Sequence, residues 1–300
     1  MDYRKRKKIK QLSAAIVILV FMAVALISAL GKSDIIYCFT GLGKNTDALT
    51  DDFVKVIDVG EGDSILICSN GKSALVDTGD GSTDICSKLL SYGIKKIDVL
   101  LITHIHTDHT GGFDSIASRF IIDNLVMPDF GKTDENVEPV NTAVRSIVQK
   151  GGKLYTATQG MNFNIGDFEI TVIGYYPDEE DENNRSVIVM AEIYDKRFLF
   201  TGDAESVAER LLLKDGINTE CDVLKVGHHG SSNSCSKEFL NSCNPDMAVI
   251  SCGEGNTYSH PHKETIEQLE DFKIKTYRTD LQGDITFYVE GDKITVDTEN

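Results

Sequence analysis

The chain has 300 residues, of which 41% are hydrophobic and 26% charged, and a net charge of −17. This is ordinary globular composition, long enough for one large domain or two small ones, and it excludes a disordered or fibrous chain. Residues 1–10 carry a net +5, so the remainder carries −22; a body this acidic repels phosphate backbones at long range and disfavours non-specific nucleic-acid binding.

The first element is membranous in character. Arg4, Lys5, Arg6, Lys7, Lys8 and Lys10 precede residues 12–30, which carry no charge. At about 1.5 Å per helical residue this stretch just spans a hydrocarbon core of about 30 Å. The basic flank predicts a cytoplasmic tail over 1–11, a transmembrane signal anchor over 12–30 and an extracytoplasmic body. The alternative is a cleaved signal, with Ala29-Leu-Gly31 as the processing site and a secreted product. Residues 31–52 read as a polar linker, and 53–300 as one folded domain.

From Phe53 onward, β-rich and helical patterns alternate. Strands are predicted over 53–59, 64–68 and 73–77, then a helix over 83–92 stopped by Gly93. A buried strand over 97–103 is followed by a helix over 112–119, a strand over 120–127 and a helix over 137–150. The second half repeats the style, with strands over 168–175, 186–193 and 197–201, a helix over 204–214, and a strand over 222–226. A short helix over 237–240, a strand over 247–251, a helix over 263–272 and strands over 275–279 and 285–289 complete it. Two sheets packed between helices, an α/β sandwich, accommodate this order. Seven cysteines show no Cys-x-x-Cys spacing; Cys68, Cys221 and Cys252 fall in or beside strands, where the thiol packs as a small hydrophobe. An odd count outside the cell leaves at least one of them free.

The most informative stretch is Thr103-His-Ile-His-Thr-Asp-His-Thr-Gly-Gly112. It places His104, His106, Asp108 and His109 within six residues, where a buried strand leaves its sheet. Imidazole and carboxylate donors suit zinc or another borderline first-row metal. The spacing is two-sided: His104 and His106 can serve one ion while Asp108 and His109 turn toward another.

His-x-His-x-Asp-His resembles the first metal motif of the metallo-β-lactamase fold superfamily, whose members are αββα sandwiches and mostly hydrolases. Further segments resemble the hydrolase domain of ComEC-type competence proteins, in order over about residues 53–290: Asp58-Val-Gly-Glu-Gly-Asp-Ser64, Leu75-Val-Asp-Thr-Gly79, Phe200-Thr-Gly-Asp203, Leu224-Lys-Val-Gly-His-His-Gly-Ser231, Asn256-Thr-Tyr-Ser-His-Pro-His262 and Arg278-Thr-Asp280. The resemblance implies a metal set of His104, His106, Asp108, His109, Asp203 and His228 for one or two divalent ions, zinc or manganese. Asp203 would bridge, and His229 would face substrate, with the reverse assignment of His228 and His229 left open. One departure stands out, because residues 110–202 contain no His. The family's further histidine is replaced by Asn183-Asn184-Arg185-Ser186, leaving Asn184 or Ser186 as a substitute donor and the metal count open.

The chemistry expected of this set is attack by a metal-bound hydroxide held by Asp108 and Asp203, with His229 or His260 as proton donor to the leaving group. The resemblance points to a phosphodiester, either nucleic acid or a phosphorylcholine-type ester. Lactone, thioester or β-lactam hydrolysis is the alternative, as is a non-catalytic surface module that kept the fold. Asp58, Asp63 and Asp77 are expected to bond nearby backbone amides, and the acidic run 178–182 to form a solvated loop.

Overall fold

The computed structural model describes residues 50–129 and 137–300. The expected span over 12–30 and nearly all of the linker lie outside the described residues. Among the described residues no helix is long and apolar enough to cross a membrane.

In chain order the first half runs β1 (Phe53–Val56), β2 (Ile65–Ser69), β3 (Lys72–Val76), α1 (Ile85–Ser91), β4 (Lys96–Leu101), α2 (Thr107–Thr110), α3 (Phe113–Arg119), β5 (Ile121–Met127), α4 (Val137–Gln149) and β6 (Lys153–Thr156). The second half runs β7 (Asn162–Ile165), β8 (Phe168–Gly174), β9 (Ile188–Ile193), β10 (Lys196–Phe200), α5 (Ser206–Lys214), β11 (Val223–Lys225), α6 (Lys237–Cys243), β12 (Met247–Ile250), α7 (Lys263–Asp271), β13 (Lys275–Arg278), α8 (Thr279–Gln282), β14 (Ile285–Glu290) and β15 (Lys293–Thr298).

The strands form two sheets, one ordered β15-β14-β1-β2-β3-β4-β5-β6 and the other β13-β12-β11-β10-β9-β8-β7. Period-2 alternation explains how they stack. In β2, Ile65 and Ile67 face the opposite sheet, while Leu66 and Cys68 face the helices. Three apolar seams result. The central one lies between the sheets and includes Val76, Phe198 and Phe287. One flank packs α1, α3 and α4 on the first sheet; the other packs α5, α6 and α7 on the second. Each fully buried Phe or Leu contributes about 1.5–3 kcal/mol through removal from water. The fold is the αββα arrangement expected from the sequence.

The helices begin and end for local reasons. At α1, the Asp84 carboxylate accepts the Ser87 N–H at 3.1 Å, capping the first turn. All six cysteines among the described residues are buried and free, and for Cys68, Cys221 and Cys252 this is the packing expected from the sequence. Strands β6, β7 and β15 were not anticipated, and each is an edge strand of its sheet.

Candidate metal centre

β3 and β4 pair in parallel, as do β10, β11 and β12. The segments that leave the C-terminal ends of these strands carry Asp77, the His104–His109 run, Asp203, His229 and Ser251. Gly202 (φ +53°) permits the meeting of the two sheets here, since a Cβ would lie 2.9 Å from the Thr103 Cβ. Gly62 does the same for the loop from β1, because a Cβ there would overlap the Asp108 carbonyl oxygen at 1.8 Å.

Four side chains converge on one point. His109 Nε2 lies 3.2 Å from Asp203 Oδ1 and 3.7 Å from Asp108 Oδ2. His229 Nε2 lies 3.3 Å from the same Asp203 oxygen and 3.2 Å from the same Asp108 oxygen. His109 Nε2, Asp203 Oδ1 and His229 Nε2 are buried with no hydrogen-bond partner, an arrangement that is costly unless something else occupies their lone pairs. Two imidazoles and two carboxylates fit a first-row divalent cation. The other carboxylate oxygen of Asp203, Oδ2, faces a second group, with His104 Nε2 at 3.8 Å and His228 Nε2 at 3.7 Å. His106 Nδ1 is 3.1 Å from His104 Nε2. Asp203 therefore stands between two sets of donors.

The supporting contacts differ between the sets. Asp77 Oδ2 meets His109 Nδ1 at 2.8 Å, while Asp77 also accepts the Thr103 N–H at 2.8 Å and the Thr103 hydroxyl at 2.7 Å. This fixes the ring so that Nε2 points inward. His229 Nδ1 donates to the Ser251 carbonyl at 2.9 Å, with the same consequence. Beneath it, the wholly buried Lys225 ammonium pairs with Asp63 Oδ2 at 2.8 Å and donates to the Val226 carbonyl at 2.9 Å. Asp63 Oδ1 lies 3.6 Å from His229 Nδ1.

The structure places the sequence-predicted residues as follows. Of the two assignments left open, His229 is the one that lies with Asp108, His109 and Asp203 in the four-donor group. Both residues adopt left-handed backbone (φ 48° and 53°), which turns the second ring inward and leaves the first at the rim. His228 Nδ1 is held instead by Glu205 Oε1 at 3.0 Å. His229 is thus a member of the donor cluster and is not positioned as a proton donor at the rim. Asn184 is not aimed at the centre, since its Oδ1 accepts the Glu205 and Ala208 N–H groups and caps the start of α5. Ser186 accepts the Asp203 N–H at 3.1 Å and lies 3.4 Å from His104 Nδ1, which places its hydroxyl behind the donors. Asp58 does bond a nearby amide, that of Gly60, but Asp63 pairs with Lys225, and Asp77 adds His109 to the Thr103 amide. Glu182, at the end of the acidic run, does not face solvent alone; it approaches His106 Nε2 at 3.6 Å and accepts the Ile105 N–H. Lys225 carries no signal in the sequence, because a lysine in a strand resembles an outward-facing position until its burial is known.

The electrostatics follow from burial against charge. Desolvation opposes a charge on His229, yet the carboxylates of Asp203 and Asp108 outweigh it and push the imidazole up to about 10. His109 moves the same way despite full burial, through Asp203, Asp77 and Asp108. His104 moves well below its ordinary range, because burial and the neighbouring His109 both penalise its charge. His260 is pushed down to about 4 by burial and by the charges of His229, His228 and His262. His260 packs at 5.4 Å from the His228 ring, and its Nδ1 is buried without a partner. Without metal, protons on His109 and His229 balance the carboxylates, the task a cation performs when bound.

Comparison with known proteins agrees with this geometry. A segment of the ComE operon protein 3 of Bacillus subtilis (strain 168) is 30% identical over 255 residues, covering 78% of this chain and 32% of that protein. The chain thus spans about a third of the length of the competence relatives it matches. Ribonuclease Z of Clostridium acetobutylicum is 42% identical over 68 residues, 21% of this chain and 22% of that protein. Among solved structures, the metallo-beta-lactamase fold protein YhfI of B. subtilis superposes with a TM-score of 0.53 at 14% identity, covering 79% of this chain and all of that one. The metallo-beta-lactamase superfamily model matches residues 57–254, and the chain belongs to that superfamily.

Proposed function

We propose that this protein is a metal-dependent phosphodiesterase, anchored by its N-terminal segment with the catalytic domain outside the cytoplasm. The observation that carries the reading is the division of Asp203: Oδ1 faces His109, His229 and Asp108, while Oδ2 faces His104 and His228. A carboxylate shared between two donor sets suits a pair of divalent ions, zinc or manganese, and paired ions are a common solution for phosphoryl chemistry. Asp108, His109, Asp203 and His229 would hold one ion; His104 and His106 would hold the other with Asp203.

Bound cations supply Lewis acidity and make water acidic enough to ionise near neutral pH. The chain's own residues do the rest. Asp77, Ser251 and the Lys225–Asp63 pair keep the donor rings in place, so little reorganisation accompanies reaction. Asp108, the more exposed of the two carboxylates in the cluster, faces the site and orients the attacking water. The proton donor to the leaving group is then His228 at the rim, which Glu205 holds through Nδ1 with Nε2 directed at the centre. His260, uncharged at neutral pH, lies against it. The partial likeness to a ribonuclease supports a phosphodiester over a lactone or β-lactam. A nucleic-acid strand would have to be held by local contacts, since the acidic body offers no long-range attraction.

The test is turnover of bis-p-nitrophenyl phosphate, oligothymidylate, glycerophosphocholine and nitrocefin by the protein loaded with manganese or zinc. The expected result is metal-dependent cleavage of at least one phosphodiester, abolished by EDTA. Turnover of nitrocefin with none of the phosphodiesters would assign the site to acyl chemistry instead.

A further inference from the structure

The single turn Asn183–Arg185 is tied to the metal centre on both sides of its last residue. Asn184 Oδ1 caps the start of α5, and the Ser186 hydroxyl accepts the Asp203 N–H at 3.1 Å. The Val187 N–H then donates to the Thr103 carbonyl at 2.9 Å, one residue before His104. Arg185 lies between these anchors, so its backbone is fixed with respect to the open half of the centre.

The Arg185 side chain lines a narrow cleft with His104, Ile105, Pro128, Asp129 and Glu182. The residue is half-buried, and its Nε is buried with no hydrogen-bond partner. An N–H withdrawn from water and left unbonded is costly, the more so on a cation. Carboxylates stand nearby and do not satisfy it. Glu182 accepts the Ile105 N–H and faces His106 Nε2 at 3.6 Å, while Asp129 is exposed. Among the described residues no ion pair joins Arg185 to a carboxylate, whereas Arg145, Arg197 and Arg278 each have one.

We propose that Arg185 is a substrate-binding residue whose guanidinium grips a phosphoryl oxygen of the ester held at the open half of the centre. This rests on the phosphodiesterase reading and deepens it, by naming a cationic side chain that meets the substrate directly. A guanidinium keeps its charge at every accessible pH and presents its donors as a planar fork that matches phosphate oxygens. It also places fixed positive charge on the side where Glu182 would otherwise repel an anion. Because the residues on either side are already bonded to the centre, little ordering of the chain accompanies binding.

Inorganic phosphate is the probe, titrated by calorimetry into the manganese-loaded protein, with acetate as the comparison anion. Arg185→Gln should weaken phosphate binding by on the order of tenfold to a hundredfold, the scale of a lost hydrogen bond to a charged group. Arg185→Lys keeps the charge without the fork and should lose less. KM for bis-p-nitrophenyl phosphate should rise in the same order. Free guanidinium should partly restore phosphate binding to Arg185→Ala, a rescue that a purely structural arginine would not give. Unchanged phosphate affinity in Arg185→Gln overturns the assignment. So does acetate binding as tightly as phosphate with the same dependence on Arg185, which would give the cleft to a carboxylate. If bis-p-nitrophenyl phosphate is still cleaved, either result removes the role of Arg185 alone. If no phosphodiester is cleaved while phosphate binding still depends on Arg185, the grip on phosphate stands and the phosphodiesterase reading falls.

Discussion

The two halves of the centre share Asp203 but are built differently. Around Asp203 Oδ1, His109 and His229 are buried, and each has its outer nitrogen fixed by Asp77 or by the Ser251 carbonyl. Around Oδ2, the His106 side chain is 39% exposed and that of His228 is 23% exposed; their outer contacts are glutamates at the rim, Glu182 and Glu205. What lies behind a ligand sets its affinity for metal as much as the ligand itself. The enclosed half should bind its ion first and release it last, and the open half should load weakly and exchange.

The largest effect should follow removal of what the halves share. Asp203→Ala is expected to lower phosphodiester turnover by on the order of 10³-fold, the scale of losing one preorganised charge-stabilising group. Metal analysis should show both ions reduced; retention of two ions and full turnover would show that the residue bridges nothing. Lys225→Met should destabilise the protein by about 3–5 kcal/mol, because it leaves the Asp63 carboxylate buried and unpaired. Urea denaturation reads this, and adding Asp63→Asn should recover part of the loss. A midpoint unmoved by Lys225→Met would mean that the ion pair contributes nothing beneath His229.

Next come the variants that separate the halves. Asp77→Asn should weaken the tighter ion by about 10–100-fold, whereas Ser186→Ala, behind His104 and the Asp203 amide, should weaken the looser ion more than the tighter one, and by less than Asp77→Asn. Equal losses on titration with a metal buffer would erase the distinction. The last prediction concerns pH. His229 rises from an ordinary 6.5 to about 10 in the folded, metal-free protein. Its protonated form therefore stabilises the fold fully below pH of about 6.5, and that contribution is lost as pH climbs toward 10. Thermal melts after chelation should show this decline, and bound metal should flatten it by displacing the proton. An upward trend in the melts over that range would contradict the sign.

The layer order and the interior strands could be read from the sequence because their apolar runs are long and repeat with period 2, as in β2 and β9. Strands β6, β7 and β15 could not, since one side of an edge strand meets solvent; the pattern of β15 alternates only between exposed and half-buried. Asp108, His109 and Asp203 were legible as donors because they leave strands in clusters beside glycine. The choice between His228 and His229 was not, because adjacent residues have the same composition and differ only in backbone direction. Two consecutive left-handed residues decide it, and nothing in Gly227-His-His-Gly230 specifies which ring turns inward.

By itself the sequence determined the αββα class, the strand ends that carry donors and the kind of atoms available to a cation, since these depend on local periodicity and side-chain chemistry. Only the tertiary structure decided which nitrogens meet, that Lys225 and Asp63 form a buried pair, and that Asp77 serves His109. Those contacts join residues far apart in the chain, and their strength comes from exclusion of water, which exists only once the two sheets have closed.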